Sequence, residues 1–532
     1  MAFNKLGGIY YTETYEVNKE DYGGSIPCFI GRTINPNKDY TAEATELAYI
    51  EKAKTVLGGT PTEAQIQTKV AELKASTEDG DKPTTNDING QKANAKANDL
   101  AQHRLNELQI FYNFEQANRS TLTDGKLDGL GDYDKEKQNN PLLNFIHDFC
   151  EETKMMTEEY VACPYFYVID LGSAEYISDW ISSIETSKIK REIDFEIYIG
   201  FDNIKDKITQ NNTVTEIDVN IEDFILAVNY ENTVNRQSIG DFRKAFYTKL
   251  HQYTTAEVTE DTTLTLGAYA DNSYYVKNYK TIDAELITLA KNLTGLNNTP
   301  TGATNIYDKQ FHTNETTNTY DSITSLTSNT ISKSRTYIVE PLWYGKTVGR
   351  ISITPYDMEP GYYEYNTITI DDIILRKPSE QLALQLGGVI FNHLEETSAD
   401  EYVKINRTQA VSSNLTNHPP DALFQSRNLC DGLLTELFDV CYPQIKNKET
   451  ETNINYLQTN VNKVVNDAIS NGDFIPPYNV GNERKGTFMA VQESSEDAYD
   501  LELVGMLQPV NCTYSIHIVA QINDAKIRIT SA

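Results

Sequence analysis

One short stretch of the sequence carries the end of a phosphate-binding motif. Residues 343–347 read "WYGKT", which matches the last residues of the G-x-x-x-x-G-K-[ST] loop that holds a nucleotide's phosphates. The first glycine of that loop would fall on Glu340, which places a carboxylate where a phosphate must approach backbone N–H groups. The motif is therefore incomplete, and the sequence predicts no phosphate-binding loop here.

Other residue types that commonly do chemistry form no recognisable constellation. No serine lies in a G-x-S-x-G elbow, and the seven histidines include no H-x-H or H-E-x-x-H pair. The six cysteines contain no C-x-x-C pair, and the Asp- and Gly-rich loop at 123–141 lacks the ligand order of a calcium loop. Single carboxylates are so numerous that the choice of an acid/base pair would be arbitrary. The sequence thus predicts no enzyme activity, no metal and no cofactor.

The net charge restricts the class of partner. The chain of 532 residues has 77 acidic and 46 basic residues, and its formal charge of −31 at pH 7 repels nucleic acids and anionic membranes. Basic clusters are small, at 188–191, 376–377 and 483–485, and such runs usually form a solvated surface. The N-terminus lacks a signal peptide's apolar segment, and no stretch approaches the roughly 18 apolar residues of a membrane span. We expect a protein made in the cytoplasm that binds no nucleic acid and does not insert into a membrane.

The N-terminal third begins with a strand pattern. In "GGIYYTETYEV", residues 7–17, alternate positions form one face of a strand that has no evident partner nearby, and this face consists of Ile9, Tyr11, Glu13, Tyr15 and Val17. A second, apolar strand is predicted over 25–33, and a helical region over 41–120. Thr41 is expected to cap the first helix. A longer helix is predicted from the spacing of Ala97, Ala101, Leu105, Leu108 and Tyr112.

From residue 161 the pattern changes to α/β. "VACPYFYVIDLG" reads as a strand buried on both faces, "SAEYISDWISSIE" as an amphipathic helix, and "EIDFEIYIGFD" as a further strand, which together predict a βαβ unit. Residues 255–335 are rich in Thr and Asn and are predicted to form exposed loops. Strands are predicted in "RTYIVEPLWYGKTVGRISI", followed by amphipathic helices in "RNLCDGLLTELFDVCYPQI" and "NINYLQTNVNKVVNDAIS". The chain ends on strands whose apolar positions are Ile516, Ile518, Ile522, Ile527 and Ile529.

Strands at both ends of the chain suggest an interaction between subunits. A strand without a local partner exposes backbone donors and acceptors that pair with another strand's edge. In strand addition the main chain provides affinity and the alternate side chains provide selectivity. If each subunit donates its ends to neighbours through a contact that does not close a ring, a tube or helix results.

The same residues resemble a known family. The opening "GGIYYTETYEV…SIPCFIGRT", the central "SRTYIVEPLWYGKTVGRISI" and the closing "KGTFMAVQESSEDAYDLELVGMLQPVNCTYSIHIVAQI" are similar in pattern to contractile tail sheath proteins of phage tails and related injection machines. The resemblance covers residues 1–35 and 160–532. It implies an α/β, multidomain protein in which a mixed-sheet sheath core carries terminal β-strand arms and an inserted outer domain.

The resemblance also implies a domain order. The segments are an N-terminal strand arm (1–24), the start of the core (25–39), an inserted, largely helical outer domain (40–155), an α/β part of the core (156–254), the exposed Thr/Asn-rich region (255–335), a further core segment (336–510) and a C-terminal strand arm (511–532).

The function implied is that of a structural subunit. Such subunits polymerise around an inner tail tube by exchange of terminal strands, contact baseplate and tail terminator proteins, and contract to drive the tube through a target envelope. The implied location is a virion tail, or alternatively a cytoplasmic injection particle. We further expect Lys188, Lys190, Arg191 and Arg350 to face acidic residues of neighbouring subunits. The alternatives are another virion component, such as a tube, baseplate or surface-array protein, and, less favoured, an α/β enzyme.

Overall fold

A computed structural model gives the fold of the chain. It describes residues 3–6, 9–12, 25–136, 139–157, 165–187, 192–201, 203–210, 213–219, 221, 224–225, 228, 243–248, 336–339, 344–355, 388–389, 391–394, 402–405, 408, 424–441, 443, 451–493, 501–510, 516–521 and 526–531. The Thr/Asn-rich region predicted at 255–335 and the basic residues Lys188, Lys190 and Arg191 lie outside these residues.

A sheet of seven strands forms the centre of the described structure. In spatial order its strands are β13 (Gly388–Val389), β12 (Thr336–Val339), β11 (Lys244–Tyr247), β8 (Phe195–Ile199), β3 (Pro27–Gly31), β7 (Phe166–Asp170) and β4 (Leu108–Phe111). Only β4, at one edge, is antiparallel to its neighbour. The predicted α/β class with a mixed sheet is thus confirmed. The strands predicted from the apolar runs at 25–33 and 161–172 are β3 and β7.

Helices of the described residues lie around this sheet and in two further groups. They are α1 (Thr41–Leu57), α2 (Glu63–Ala75), α3 (Thr85–Gln102), α4 (Phe114–Ala117), α5 (Tyr133–Glu136), α6 (Pro141–Thr153), α7 (Ile177–Ser187), α8 (Tyr344–Ile353), α9 (Phe424–Cys441) and α10 (Glu451–Ser470). The amphipathic helices predicted at 173–185, 427–445 and 453–470 correspond to α7, α9 and α10. No described helix is long and apolar enough to cross a membrane.

The remaining strands form two-stranded sheets. These are β1 (Phe3–Leu6) with β2 (Ile9–Thr12), β5 (Leu122–Thr123) with β6 (Lys126–Leu127), β9 (Ile204–Gln210) with β10 (Thr213–Val219), β14 (Phe391–Leu394) with β15 (Tyr402–Ile405), β16 (Tyr478–Val480) with β17 (Glu483–Lys485), β18 (Phe488–Glu493) with β19 (Leu501–Met506), and β20 (Ile516–Gln521) with β21 (Lys526–Ser531).

Both faces of the central sheet are buried. On one face, α6 and α8 contribute to an aromatic cluster in which the rings of Phe29 and Phe149 lie 4.9 Å apart between centroids. On the other face, Trp180 of α7 is buried against the sheet. All five residues of β8 are buried, as expected for a parallel strand covered by helices on both sides. The unit β7–α7–β8 also crosses over β3, which pairs with both strands.

Helix α8 corrects the prediction of strands around "WYGKTVGRISI". A Cβ atom on Gly345 would lie 2.7 Å from the Asp148 Cβ atom and 2.8 Å from the Phe145 carbonyl oxygen, both on α6. The absence of side chains at Gly345 and Gly349 therefore allows the two helix backbones to approach closely. This tertiary contact overrides the local strand preference of the β-branched residues.

The helical region is shorter than predicted. Helix α3 ends at Gln102, and Leu108 belongs to strand β4 of the sheet instead of the predicted long helix through Tyr112. The pairing of β4 with β7 decides this, because it satisfies the backbone of 108–111 against an existing strand. Thr41 is the first residue of α1 but makes no cap, since Asp39 accepts hydrogen bonds from the Thr41 amide and hydroxyl groups instead.

The predicted inserted domain at 40–155 therefore includes parts of the central core. Strand β4 lies in the central sheet, and α6 belongs to its main aromatic cluster. Helix α6 begins where the Asn140 side chain accepts a hydrogen bond from the Leu143 amide and Pro141 occupies the first turn. The helices that pack in small clusters of their own are α1, α2 and α3. We call residues 41–102 the helical insertion below.

Candidate subunit interface

The N-terminal strand has a partner within its own chain. Strand β2 pairs antiparallel with β1, so that Phe3 lies opposite Thr12 and Leu6 opposite Ile9. The prediction of a strand without a local partner is therefore wrong. The two residues between these strands are glycines, which favour the tight turns of two-residue hairpins. Of the predicted interface residues, Ile9 and Tyr11 lie in β2, whereas Glu13, Tyr15 and Val17 lie outside the described residues.

The C-terminal strands form a second hairpin, as the sequence predicted. In the pairing of β20 with β21, Ile516 lies opposite Ser531 and Ile518 opposite Ile529. Ile527 lies opposite Ala520, and Ile522 is outside the described residues. Within the described part of the chain, neither terminal hairpin pairs with any other strand. Each hairpin therefore leaves two strand edges available there.

A third two-stranded sheet, the ribbon β18–β19, lies on helix α10. Its inner side packs Met489, Val491 and Leu503 against a cluster that includes Leu457 and Val461 of the helix. The opposite positions carry apolar side chains that remain in solvent. Val504 is 44% exposed and Met506 is 39% exposed. The outer face of the ribbon thus carries exposed apolar side chains beside Gln492, and Arg484 lies over its Phe488 ring at 4.4 Å from the ring centroid.

One edge of this ribbon is capped by a side chain. The Gln458 amide group accepts a hydrogen bond from the Val491 N–H at 2.7 Å and donates one to the Met489 carbonyl at 3.2 Å. Because these groups of β18 point to Gln458, their neighbours along the strand make the bonds to β19. By the same alternation, the backbone groups of Leu503 in β19 point away from β18. Since no other described strand pairs with β19, its outer edge is the one on which a further strand can add.

The basic residues give a mixed result. Arg350, expected to face a neighbouring subunit, lies inside its own chain, with its Nε atom 3.3 Å from a carboxylate oxygen of the buried Glu152. This expectation was wrong because 344–353 form a helix that packs on α6. Lys346 of the same helix pairs with Glu151 at 2.9 Å. The expectation that Lys188, Lys190 and Arg191 face acidic residues of a neighbouring subunit stays a prediction.

One group of described side chains has the composition of a metal site. His147, Asp148 and Glu151 each offer a ligand atom, and these atoms lie within 4.8 Å of one another. The Lys346 ammonium group already pairs with the Glu151 carboxylate, and the His147 ring stacks on Tyr133 with 4.3 Å between centroids. These contacts account for the cluster as an ion-paired, stacked surface of α6.

Sequence reasoning missed the residues that define the ribbon. Gln458 lies in an amphipathic helix, and nothing in its sequence neighbourhood indicates that it caps a strand. The exposed pair Val504 and Met506 does leave a signal, since "LELVGM" has apolar residues on both alternating faces. Such a pattern indicates a strand covered on both sides, and here one cover is absent from the described chain.

Comparisons with known proteins give matches among solved structures at low sequence identity. No family model and no curated protein matches the chain. Among solved structures, the helical sheath of the anti-feeding prophage in its contracted state is similar, with 8% identity and a TM-score of 0.41 over 98% of this chain and 99% of that one. The baseplate of the same particle is also similar, with 9% identity and a TM-score of 0.37 over 67% and 76% of the two chains.

Proposed function

We propose that this chain is a structural subunit of a contractile tail sheath that polymerises by exchange of terminal strands. The observation that carries the proposal is the combination of hairpins at both chain ends with a ribbon that, among the described residues, has one unpaired edge and exposed apolar side chains on its outer face. The hairpins supply strands that can be donated, and β19 supplies the edge that accepts one.

The physical argument rests on what an isolated hairpin lacks. A two-stranded hairpin is only marginally stable in water, whereas a third strand or a packed face stabilises it. An added strand at β19 satisfies that edge's backbone groups, and its side chains cover Val504 and Met506. Burying apolar surface contributes about 25 cal/mol per Å², so coverage of this face adds to the backbone bonds.

Chain length favours the N-terminal hairpin as the arm that reaches a neighbour. Residues 13–24 separate β2 from the core, and an extended chain of that length spans roughly 40 Å. Residues 507–515 separate β19 from β20, and a connection of that length spans at most roughly 30 Å, so the C-terminal hairpin has the smaller reach. A contact of this head-to-tail kind, repeated without closing, builds a helical polymer.

The proposed partners follow from this role. They are further copies of the chain, an inner tail tube, and baseplate and terminator proteins at the ends of the polymer. The proposed location is the tail of a virion or of a related injection particle. During contraction the subunits would move relative to one another, while the exchanged strands would keep neighbouring subunits connected.

A pair of matched substitutions tests the ribbon. Val504→Asp places a charge on the uncovered face, and we expect a folded subunit that no longer forms tubes in electron micrographs. Val480→Asp is the control, because Val480 is also a strand valine, 56% exposed, but lies in β16 outside the ribbon. Tubes from both variants, or from neither, would contradict the assignment of the ribbon. Discrete rings or spikes from the unmodified protein would favour another particle component.

A further inference from the structure

A buried polar cluster lies where the helical insertion returns to the central sheet. Asp170 is the last residue of β7, Thr33 follows β3, and His103 comes directly after α3. Asp170 is 1% exposed and His103 is 4% exposed. The cluster thus joins the end of the insertion to the carboxyl edge of two parallel strands.

Hydrogen bonds hold this cluster around the Asp170 carboxylate. One of its oxygens lies 2.7 Å from the His103 Nδ1 atom. The other accepts hydrogen bonds from the Thr33 hydroxyl group at 2.6 Å and from the Gly172 amide at 2.7 Å. Because the carboxylate can only accept at this distance, Nδ1 of His103 carries a proton. Nδ1 also lies 3.1 Å from the Thr33 hydroxyl oxygen, but because it carries a proton it can only donate there. The Thr33 hydroxyl donates to Asp170, so His103 does not activate it as a nucleophile, and the arrangement fits a structural connection.

The charge balance of this connection depends on one titratable group. Within the described residues, His103 is the only cationic side chain within ion-pair distance of Asp170. A buried carboxylate is costly unless an opposite charge and hydrogen bonds compensate it. Imidazole is the side chain whose ordinary pKa places its charge change near neutral pH. Removal of a single proton from His103 therefore leaves the Asp170 charge without its counter-ion.

The surroundings of the His103 ring favour its charged form. Burial disfavours the imidazolium, but the hydrogen bond and charge of Asp170, together with the charges of Asp99 and Glu136, outweigh it and raise the pKa of His103 above its ordinary value of 6.5. The acidic groups around the ring are Asp170 of β7, Asp99 of α3 and Glu136 of α5. Two basic groups lie on the same elements: Lys38, before α1, pairs with Asp99 at 2.8 Å, and Lys126 of β6 donates a hydrogen bond to the His103 carbonyl at 2.8 Å.

We propose that His103, Asp170 and Thr33 form a pH-sensitive latch, which holds the helical insertion on the central sheet while His103 is protonated and loosens it when the ring becomes neutral. The direction of the pH effect on this connection follows from the linkage between protonation and stability. A group whose pKa is raised by folding stabilises the folded arrangement fully below its unfolded pKa, and this stabilisation is lost as the pH rises through the folded pKa. The latch is therefore fully closed below pH 6.5 and opens only as the pH rises through the raised pKa of His103. It concerns the insertion and its own core, and it holds whether or not the chain polymerises.

Hydrogen exchange of the full chain tests the latch. Exchange is measured by mass spectrometry at several pH values from about 5.5 to 8.5 and is corrected for the intrinsic exchange rate at each pH. We expect the opening constant of residues 95–103 to rise several-fold as the pH increases, whereas that of strand β12 stays constant. Equal protection of 95–103 at all these pH values would overturn the proposal.

Three variants separate the latch from general effects of pH. His103→Gln retains a hydrogen-bond donor but cannot titrate, so we expect the pH dependence of residues 95–103 to disappear. Asp170→Asn removes the charge that His103 compensates and should have the same effect. His147→Gln is the matched control, because the Nδ1 atom of His147 also lies beside an aspartate, 3.3 Å from Asp148. In this variant the exchange of residues 95–103 should still depend on pH. A pH dependence of exchange at residues 95–103 that persists in His103→Gln or Asp170→Asn would refute the latch.

Discussion

Deletion of residues 1–17 is the most direct test of strand donation. The outer edge of β2 presents the backbone groups that β1 does not use, and in a strand of four residues these are about two N–H and two C=O groups. Each backbone hydrogen bond contributes about 1 kcal/mol net, so a donated arm contributes about 4 kcal/mol per contact. Since about 1.4 kcal/mol is a factor of ten, the association constant per contact should fall about 10³-fold.

Sedimentation and electron microscopy measure the loss of assembly. We expect the truncated chain to remain soluble, with a circular dichroism spectrum close to that of the full chain, because the described terminal hairpin pairs with no strand of the core. At concentrations where the full chain forms tubes, the truncated chain should sediment as a small species. Tubes that still form, or a truncated monomer that unfolds, would show that the hairpin belongs to its own subunit.

The other predictions concern charge, the insertion and helix packing. Raising the salt concentration should promote assembly measured by light scattering, because subunits of charge −31 repel one another and salt screens this repulsion over about 8 Å at 0.15 M. Replacing the basic residues of 188–191 with Gln should weaken assembly, and unchanged assembly would show that they lie outside the interface. A Gly/Ser linker in place of 41–102 should preserve the fold of the rest, since surface insertions cost little entropy, and loss of the near-UV spectrum would count against it. Gly345→Ala should lower the free energy of unfolding by about 1–3 kcal/mol, because the added Cβ atom clashes with α6. Gly90→Ala has open space around its Cβ position and should raise the free energy of unfolding by up to about 1 kcal/mol. Chemical denaturation measures both changes.

Local sequence pattern was sufficient for the elements whose burial is uniform. The apolar run of β7 predicted a strand covered on both faces, because such strands carry few polar side chains, and the shorter apolar run of β3 predicted a strand. The amphipathic periods of α9 and α10 predicted those helices, since one face of each is buried. Alternation at the C-terminus predicted β20 and β21, where the pairing of Ile518 with Ile529 follows the pattern.

Tertiary contacts decided the features that local patterns could not contain. Residues 344–353 form a helix because two glycines meet α6, nearly 200 positions earlier in the chain. Leu108 lies in a strand because β7 offers it an edge. Which edge of the ribbon stays open depends on the reach of Gln458 from another element, and the charge of His103 depends on Asp170, 67 positions away. A sequence window reports the preferences of neighbouring residues, whereas each of these outcomes is set by a single long-range contact that only the folded chain brings together.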